Sequence, residues 1–210
     1  MTRTIRIRYT IRTLLLLMLV GALVAWYYRA RYLDTSYFPM AVGDRWVYAS
    51  SGDTTDDVIF EVVGTQKVDG APCFVVERVI GAHKISFYIS IQQDGIRLHR
   101  VGDDVYLPPY RQFAFPTKEK DPWDWKGTIG GTPGDYHCHN MGQSDITVPH
   151  GQHKAFVVMQ GSSSQGWATF ALVRGVGVVQ VDGKFADQHD PQGRGVYQQF
   201  HWKLKQFTRK

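Results

Sequence analysis

From Tyr37 to the carboxyl terminus, apolar and polar residues alternate one by one between short glycine-containing segments. In the stretch HKISFYISIQ, the apolar residues Ile85, Phe87, Ile89 and Ile91 are each separated by one polar or aromatic residue. A period of two residues is that of a β-strand, because successive side chains point to opposite faces. This part of the chain lacks the 3.6-residue period of an amphipathic helix. Its sequence is therefore predicted to be all-β.

The spacing of the turn residues predicts how these strands are arranged. Turns are predicted at Val68-Asp69-Gly70, at Asp94-Gly95, within Gly161–Ser164 and near Gly175. Neighbouring strands joined by such turns usually pair in sequence order and antiparallel. About 10–12 short strands at this spacing predict a curved antiparallel meander that forms a half-barrel, a barrel or a sandwich.

One proline-rich segment interrupts the pattern between residues 106 and 135. Proline has no amide hydrogen to donate to a β-ladder. We therefore expect this segment to be a long connection that crosses one end of the sheet. Trp123 and Trp125 are expected to tuck back from it as anchors.

The amino-terminal 31 residues have a different composition. Thr13–Tyr28 carries no charge, four arginines precede it, and Trp26, Tyr27 and Tyr28 close it. This order predicts an uncleaved signal anchor, a single transmembrane helix within residues 1–31 with the arginines on the cytoplasmic side. Residues 32–210 would then form a periplasmic domain attached to the cell membrane. The alternative is a signal peptide cleaved after Ala22 or Ala25, which would release the domain.

Charge argues against nucleic acid as a partner. The chain has 24 Lys+Arg and 19 Asp+Glu, but six of the arginines lie before residue 32. Removing them leaves 18 basic against 19 acidic residues, so the predicted β domain has a net charge of −1. A near-neutral domain has no evident basic surface for phosphate groups.

The stretch YFPMAVGDRWVY, residues 37–48, resembles the opening of a group of uncharacterised bacterial cell-envelope proteins. Members of that group begin with Tyr-Phe-Pro, a spacer, Gly and Trp-x-Tyr just after an export signal. Further stretches, including LPPYRQFAFP, WDWKG and ITVPHGQHKAFVV, fit the same group. Such proteins are similar in style to the curved β folds of lipoprotein carriers and sorting proteins. The resemblance implies an envelope location and this fold, and it implies no catalytic residues.

Histidines concentrate in the segment from Asp135 to His153. His137 and His139 share one face of a predicted strand, while Cys138 points to the other face, so one strand offers two metal ligands. His150 and His153 flank a predicted turn about 36 Å from His139 if the intervening chain is extended. A hairpin at residues 140–143 would shorten that distance without bringing four ligands together. His137 and His139 therefore remain weak candidates, and no metal or other cofactor is predicted.

The two cysteines, Cys73 and Cys138, leave two alternatives open. In an exported domain an even number of cysteines is compatible with a disulfide. Because Cys73 lies in an apolar strand, a buried free thiol is equally natural.

Catalytic motifs are missing from the sequence. The serine elbow, the zincin pattern, and the phosphate-binding and dinucleotide-binding fingerprints do not occur. We therefore predict a non-enzymatic binding or scaffold module of the cell envelope, with an envelope protein as one class of partner. A cryptic hydrolase or metal-dependent enzyme is the alternative from a different class.

The alternation also suggests a carrier for a lipid or another apolar ligand. The concave face of a curved sheet would then be lined by one set of apolar side chains. The predicted members of this face are Ile85, Phe87, Ile89, Ile91, Phe200, Trp202 and Leu204. The opposing interpretation is that these residues fill a self-packed core.

Overall fold

The computed structural model describes residues 11–31, 35–52, 56–115, 117–162, 166–186 and 197–210. The chain divides into two compact units, Met1–Tyr32 and Leu33–Lys210. This division lies one residue beyond the boundary expected from composition.

The first unit contains helix α1 (Ile11–Arg31). The side chains of residues 14–19, five leucines and a methionine, are 53% to 66% exposed. Among the residues that the structure describes, no helix combines the length and hydrophobicity required to cross a membrane. The predicted transmembrane helix is therefore not supported.

The second unit begins with a short 3-10 helix (Thr35–Tyr37) and continues as twelve strands within the described residues. The strands are β1 (Arg45–Gly52), β2 (Val58–Val68), β3 (Ala71–Ile80), β4 (His83–Gln92), β5 (Gly95–Val101), β6 (Asp104–Ala114), β7 (Pro122–Ile129), β8 (Thr132–Val148), β9 (Gly151–Ser162), β10 (Gly166–Val173), β11 (Gly177–Ala186) and β12 (Tyr197–Thr208).

Each strand pairs antiparallel with its neighbour in sequence, and β12 pairs with β1 to close a barrel. In this closing ladder Trp46 lies opposite Phe207, and Ser50 lies opposite Trp202. The predicted antiparallel meander is confirmed, with twelve strands and complete closure. Closure satisfies the backbone groups that the two end strands would otherwise expose.

Local turn chemistry sets the register of the hairpins. Asp69 and Gly70 both have positive φ, 48° and 80°, as a two-residue turn of the primed type requires. Val68 and Ala71 pair directly beside them, which confirms the predicted turn. The β4–β5 turn lies one residue earlier than expected, because Gly95 already pairs with Gln92.

The proline-rich segment is not the long connection that we expected. It contains β6 and β7, and the connection between them spans only residues 115–121. The two strands pair at just two positions, Tyr106 with Ile129 and Leu107 with Thr128. Pro108 and Pro109 follow at once and have no amide hydrogens to extend this ladder. The prolines therefore interrupt one seam of the barrel without removing its strands.

Two indole N–H groups donate to carbonyls of β6 at this seam, where the backbone ladder is interrupted. The Trp125 Nε1–H donates to the Pro108 carbonyl at 2.9 Å, and the Trp123 Nε1–H donates to the Arg111 carbonyl at 3.0 Å. Both tryptophans are buried, which confirms that they anchor this segment. Buried carbonyl groups need such partners, since an unpaired one costs about 1–3 kcal/mol.

One end of the barrel is covered by the chain that leads into β1. Phe38 packs on Phe113 and Phe115, with ring centroids 4.5 and 5.7 Å apart. Tyr37 meets Phe156 edge to face at 5.2 Å. The Gly175 N–H, in the β10–β11 turn, donates to the Ser36 carbonyl at 2.8 Å. We call residues 35–44 the floor segment.

Gly127 offers a test of the proline-containing seam. A methyl group at this position would overlap the Leu107 carbonyl oxygen and the Trp125 ring. We expect Gly127→Ala to lower the free energy of unfolding by about 2 kcal/mol, because neither a backbone nor a packed indole can move away cheaply. Gly64→Ala is the control, since a methyl group there meets nothing within 4 Å. Urea unfolding followed by circular dichroism should separate the two variants, and equal losses would contradict this account of the seam.

Candidate ligand cavity

A cavity of about 340 Å³ lies inside the barrel. Barrel diameter grows with strand number, and about eight strands already leave an interior that side chains can just fill. Twelve strands therefore enclose more space than their inward side chains occupy. The volume lies in the range of small-molecule binding pockets.

The cavity wall is mostly aromatic and aliphatic. It extends from Phe38 in the floor segment to side chains near the opposite ends of the strands, including Val101 and Phe200. The tyrosines on the wall are neutral at physiological pH, and burial moves them further from ionisation by raising the pKa of Tyr106 to about 12 and the pKa of Tyr136 still higher. Such a lining suits a largely apolar ligand.

Four of the seven residues predicted for the apolar face line this cavity: Phe87, Ile89, Phe200 and Trp202. Leu204 is fully buried in the core, and Ile91 packs against that core. Ile85 is half-buried and also does not line the cavity. Four of the predicted residues thus face the inside of the barrel, but only this part of the predicted face borders the cavity.

Among the described residues, Arg78 is the only charged residue of the cavity wall, and sequence reasoning missed it. Its guanidinium carbon lies 5.5 Å from the ring centroid of Phe87 and 5.9 Å from that of Trp202. Burial lowers the pKa of Arg78, although an arginine remains protonated in proteins. A signal was present in the sequence, because Arg78 occupies an inward position in the alternating series Phe74, Val76, Arg78 and Ile80.

A second polar group in the wall is a closed hydrogen-bond network. The Tyr110 hydroxyl donates to Gln160 Oε1 at 3.0 Å, and Gln160 Nε2–H donates to the Gln112 carbonyl at 2.6 Å. The Cys138 Sγ lies 3.4 Å from the Tyr110 hydroxyl oxygen. Because these groups form hydrogen bonds with one another, the network stabilises the cavity wall. Arg78 does not take part in it.

The cysteines are free, buried thiols on β3 and β8. Four strands separate β3 from β8 in the barrel, so the disulfide between Cys73 and Cys138 is not formed. Cys138 faces the interior beside Tyr110, whereas Cys73 alternates with the cavity residue Val76 so that it faces outward. Burial raises the pKa of both thiols, that of Cys138 to about 11.

The histidines do not converge. His137 and His139 alternate with buried Cys138 as expected, and His137 Nδ1 lies 2.9 Å from Asp124 Oδ1. Strand β8 runs on to Val148 without a hairpin, which places about 30 Å between His139 and the following turn. There His150 Nδ1 and His153 Nε2 lie 3.1 Å apart. Within the described residues, no three histidine, cysteine or carboxylate side chains are placed to hold a metal.

A buried Ser90–His99 pair was not predicted. Ser90 Oγ lies 2.9 Å from His99 Nε2, and the residues are only 3% and 4% exposed. Ser90 follows the cavity residue Ile89, so it faces the outside of the barrel. His99 Nδ1 has no hydrogen-bond partner among the described residues. The pair lacks both the orienting acid and the access to substrate that a catalytic serine needs.

No protein-family model matches the chain, and no curated protein matches it either. Two solved structures are similar in fold. One is a predicted lipoprotein from Parabacteroides distasonis, with 12% identity and a TM-score of 0.45 over 85% of this chain and 99% of that one. The other is a predicted exported protein with a YmcC-like fold from Bacteroides fragilis, with 10% identity and a TM-score of 0.46 over 86% of this chain and all of that one.

Thiol chemistry tests the state of the two cysteines. Burial and raised pKa values should leave both unreactive toward Ellman's reagent in the native chain at pH 8, because the thiolate is the nucleophile. Unfolding in guanidinium without reductant should release two thiols per chain. Recovery of none until a reductant is added would show a disulfide instead.

His99 predicts a pH dependence of stability. Desolvation lowers its pKa in the folded state, so the unfolded chain binds a proton first as pH falls through about 6.5. Stability should therefore decrease from about pH 6.5 downward, and His99→Gln should flatten that decrease. His83→Gln, at an exposed position, is the control and should leave the slope unchanged. Urea midpoints measured between pH 5 and 8 compare the slopes, and an unaltered slope in His99→Gln would refute this assignment.

Proposed function

We propose that the barrel is a non-enzymatic binding protein of the bacterial cell envelope that carries an apolar ligand in its interior. The observation behind this proposal is the apolar cavity of about 340 Å³. A scaffold that acted only through its surface would not need a void, because empty volume in a core costs stability. In a carrier, the cavity would hold the ligand.

The polar groups described above support a non-enzymatic role. The Tyr110–Gln160 network is satisfied internally. The Ser90–His99 pair is buried on the other face of the sheet from the cavity. Neither group combines a nucleophile, a base and an oxyanion site around open space.

An extracytoplasmic, membrane-attached location is the second part of the proposal. Its support is the composition of the amino-terminal segment, where arginines precede an uncharged run. Leu14–Leu19 are exposed all around α1, and consecutive exposed leucines favour an apolar environment such as lipid. The α1 segment would bring the barrel to the membrane, where an apolar ligand can be loaded or delivered.

Ala168 allows the cavity to be blocked. This residue is 3% exposed and lines the cavity. We expect Ala168→Phe to weaken binding of the uncharged fluorophore N-phenyl-1-naphthylamine roughly tenfold, a loss of about 1.4 kcal/mol. The physical reason is that the added ring occupies ligand space. Fluorescence titration of the purified full chain measures this change.

Ala49→Phe is the matched control for that titration. Ala49 lies between the inward residues Tyr48 and Ser50 on β1, so the same added ring would point outward. Both variants should keep the wild-type circular dichroism spectrum. Equal fluorophore affinity in the two variants, or no saturable binding by the wild type, would refute the proposed function.

A further inference from the structure

We propose that the ligand is an anionic amphiphile, with its carboxylate or phosphate head at Arg78 and its hydrocarbon chain extending toward Phe38. This inference rests on the proposed function and names the ligand class of the same cavity. The shared chemistry of the two heads is an oxyanion attached to a long apolar chain.

The charge of the cavity wall is not balanced by the barrel. Of the 26 described residues that line the cavity, Arg78 alone is charged, and none of the others is a carboxylate. Among the described residues Arg78 has no ion pair and no hydrogen bond. Arg78 is half-buried, and a partly desolvated charge is stabilised by a partner of opposite charge. The cavity therefore presents a cation whose counter-ion the barrel does not supply.

The aromatic contacts of Arg78 do not replace that counter-ion. Phe87 and Trp202 lie on the guanidinium at 5.5 and 5.9 Å and attract it through their ring faces. A guanidinium has five N–H donors in its plane, and ring faces supply no oxygen acceptors. The rings orient the side chain and leave its donors for a planar or tetrahedral oxyanion.

Unsatisfied polar groups occur close to the same charge. The buried Trp202 Nε1–H and Ser50 Oγ have no hydrogen-bond partner among the described residues. Ser50 and Trp202 are direct cross-strand partners and so share the inward face. Phe60, opposite Arg78 on β2, packs 6.0 Å from Trp202. Hydrogen-bond donors without acceptors thus gather on neighbouring strands, as a site for an acceptor-rich group requires.

The position of Arg78 along the barrel gives the ligand a direction. Arg78 lies two residues before the end of β3, at the end of the barrel where β3 turns into β4. The floor segment packs at the opposite end, because Phe38 contacts Phe115 and the Phe115 N–H donates to the Asp94 carbonyl in the β4–β5 turn. About 23 Å of strand separates Arg78 from Ala71, at the floor end of β3. The space between is apolar and suits a hydrocarbon chain.

Competing ligands of one chain length test this assignment. Hexadecanoate, hexadecyl phosphate and neutral hexadecanol would each displace N-phenyl-1-naphthylamine from the full chain at pH 8. We expect both anions to displace it at ten- to hundredfold lower concentration than hexadecanol, as bonds to a charged donor predict. Acetate and inorganic phosphate, which carry the head without the chain, should not displace it.

Arg78→Met should abolish the preference while leaving hexadecanol binding within about twofold, because a chain of similar length replaces the guanidinium. Arg78→Lys should retain part of the preference, since it keeps the charge but not the fork of donors. Arg45→Met is the control, because Arg45 lies exposed beside Glu61 on the outer surface. It should behave as the wild type.

The outcomes separate this inference from the proposed function. Equal displacement by hexadecanol and hexadecanoate in the wild type, or an unchanged preference in Arg78→Met, would overturn the anionic head but keep the carrier. If inorganic phosphate, which has no hydrocarbon chain, displaced the fluorophore, the ligand would be a free anion and the amphiphile hypothesis would be wrong. Failure of all three sixteen-carbon compounds to displace the fluorophore would overturn the carrier itself.

Discussion

Pairing between β1 and β12 is the contact on which the rest of this molecule depends. It joins the two ends of a meander whose other neighbours are already paired in sequence order. Without it the sheet would have two open edges, each with unpaired backbone groups. With it, twelve strands must surround an interior wider than eight strands would. The cavity is therefore a consequence of closure and strand number rather than of any single residue.

Two devices stabilise a barrel of this width. At the β6–β7 seam, where prolines end the ladder, two indole N–H groups donate to carbonyls of β6. Near the floor segment, aromatic residues of the YFPMAVGDRWVY stretch point into the barrel. The Trp46 Nε1–H donates to the Val176 carbonyl at 2.6 Å, and the Tyr48 hydroxyl donates to the Val178 carbonyl at 2.8 Å. The aromatic residues of that motif thus tie β1 to the start of β11. These aromatic residues therefore have a structural role in the barrel, and the motif need not contain catalytic residues.

Inside the barrel, some polar groups have hydrogen-bond partners and others have none among the described residues. The Tyr110–Gln160–Gln112 network is complete, and it fixes one side of the wall. On the other side, the buried Trp202 Nε1–H and Ser50 Oγ have no partner among the described residues. Arg78, which is half-buried, has neither an ion pair nor a hydrogen bond with those residues. If the proposed anionic amphiphile binds here, the site would discriminate strongly, because a ligand without the matching acceptor would leave buried donors unpaired. The proposed ligand specificity would therefore come from the polar groups that lack partners within the protein.

Much of the fold could be predicted, because the relevant signals are local. The Asp69-Gly70 turn, the two-residue period and the opposed faces of His137 and Cys138 depend on neighbouring residues in the chain. The proline-rich segment misled the prediction, since the sequence does not reveal that indole N–H groups from β7 donate to the carbonyls of Pro108 and Arg111 on β6. The cavity was anticipated only as one interpretation of an apolar face, and Arg78 was missed within its strand. Outside the proline-rich segment, the sequence by itself determined the strands, their order and which side chains share a face, because these follow from backbone periodicity and turn chemistry. Only the tertiary structure decided that the barrel closes, that both thiols stay free, and that Arg78 lies in an apolar cavity wall with no ion pair among the described residues. These features depend on distances between residues far apart in the chain.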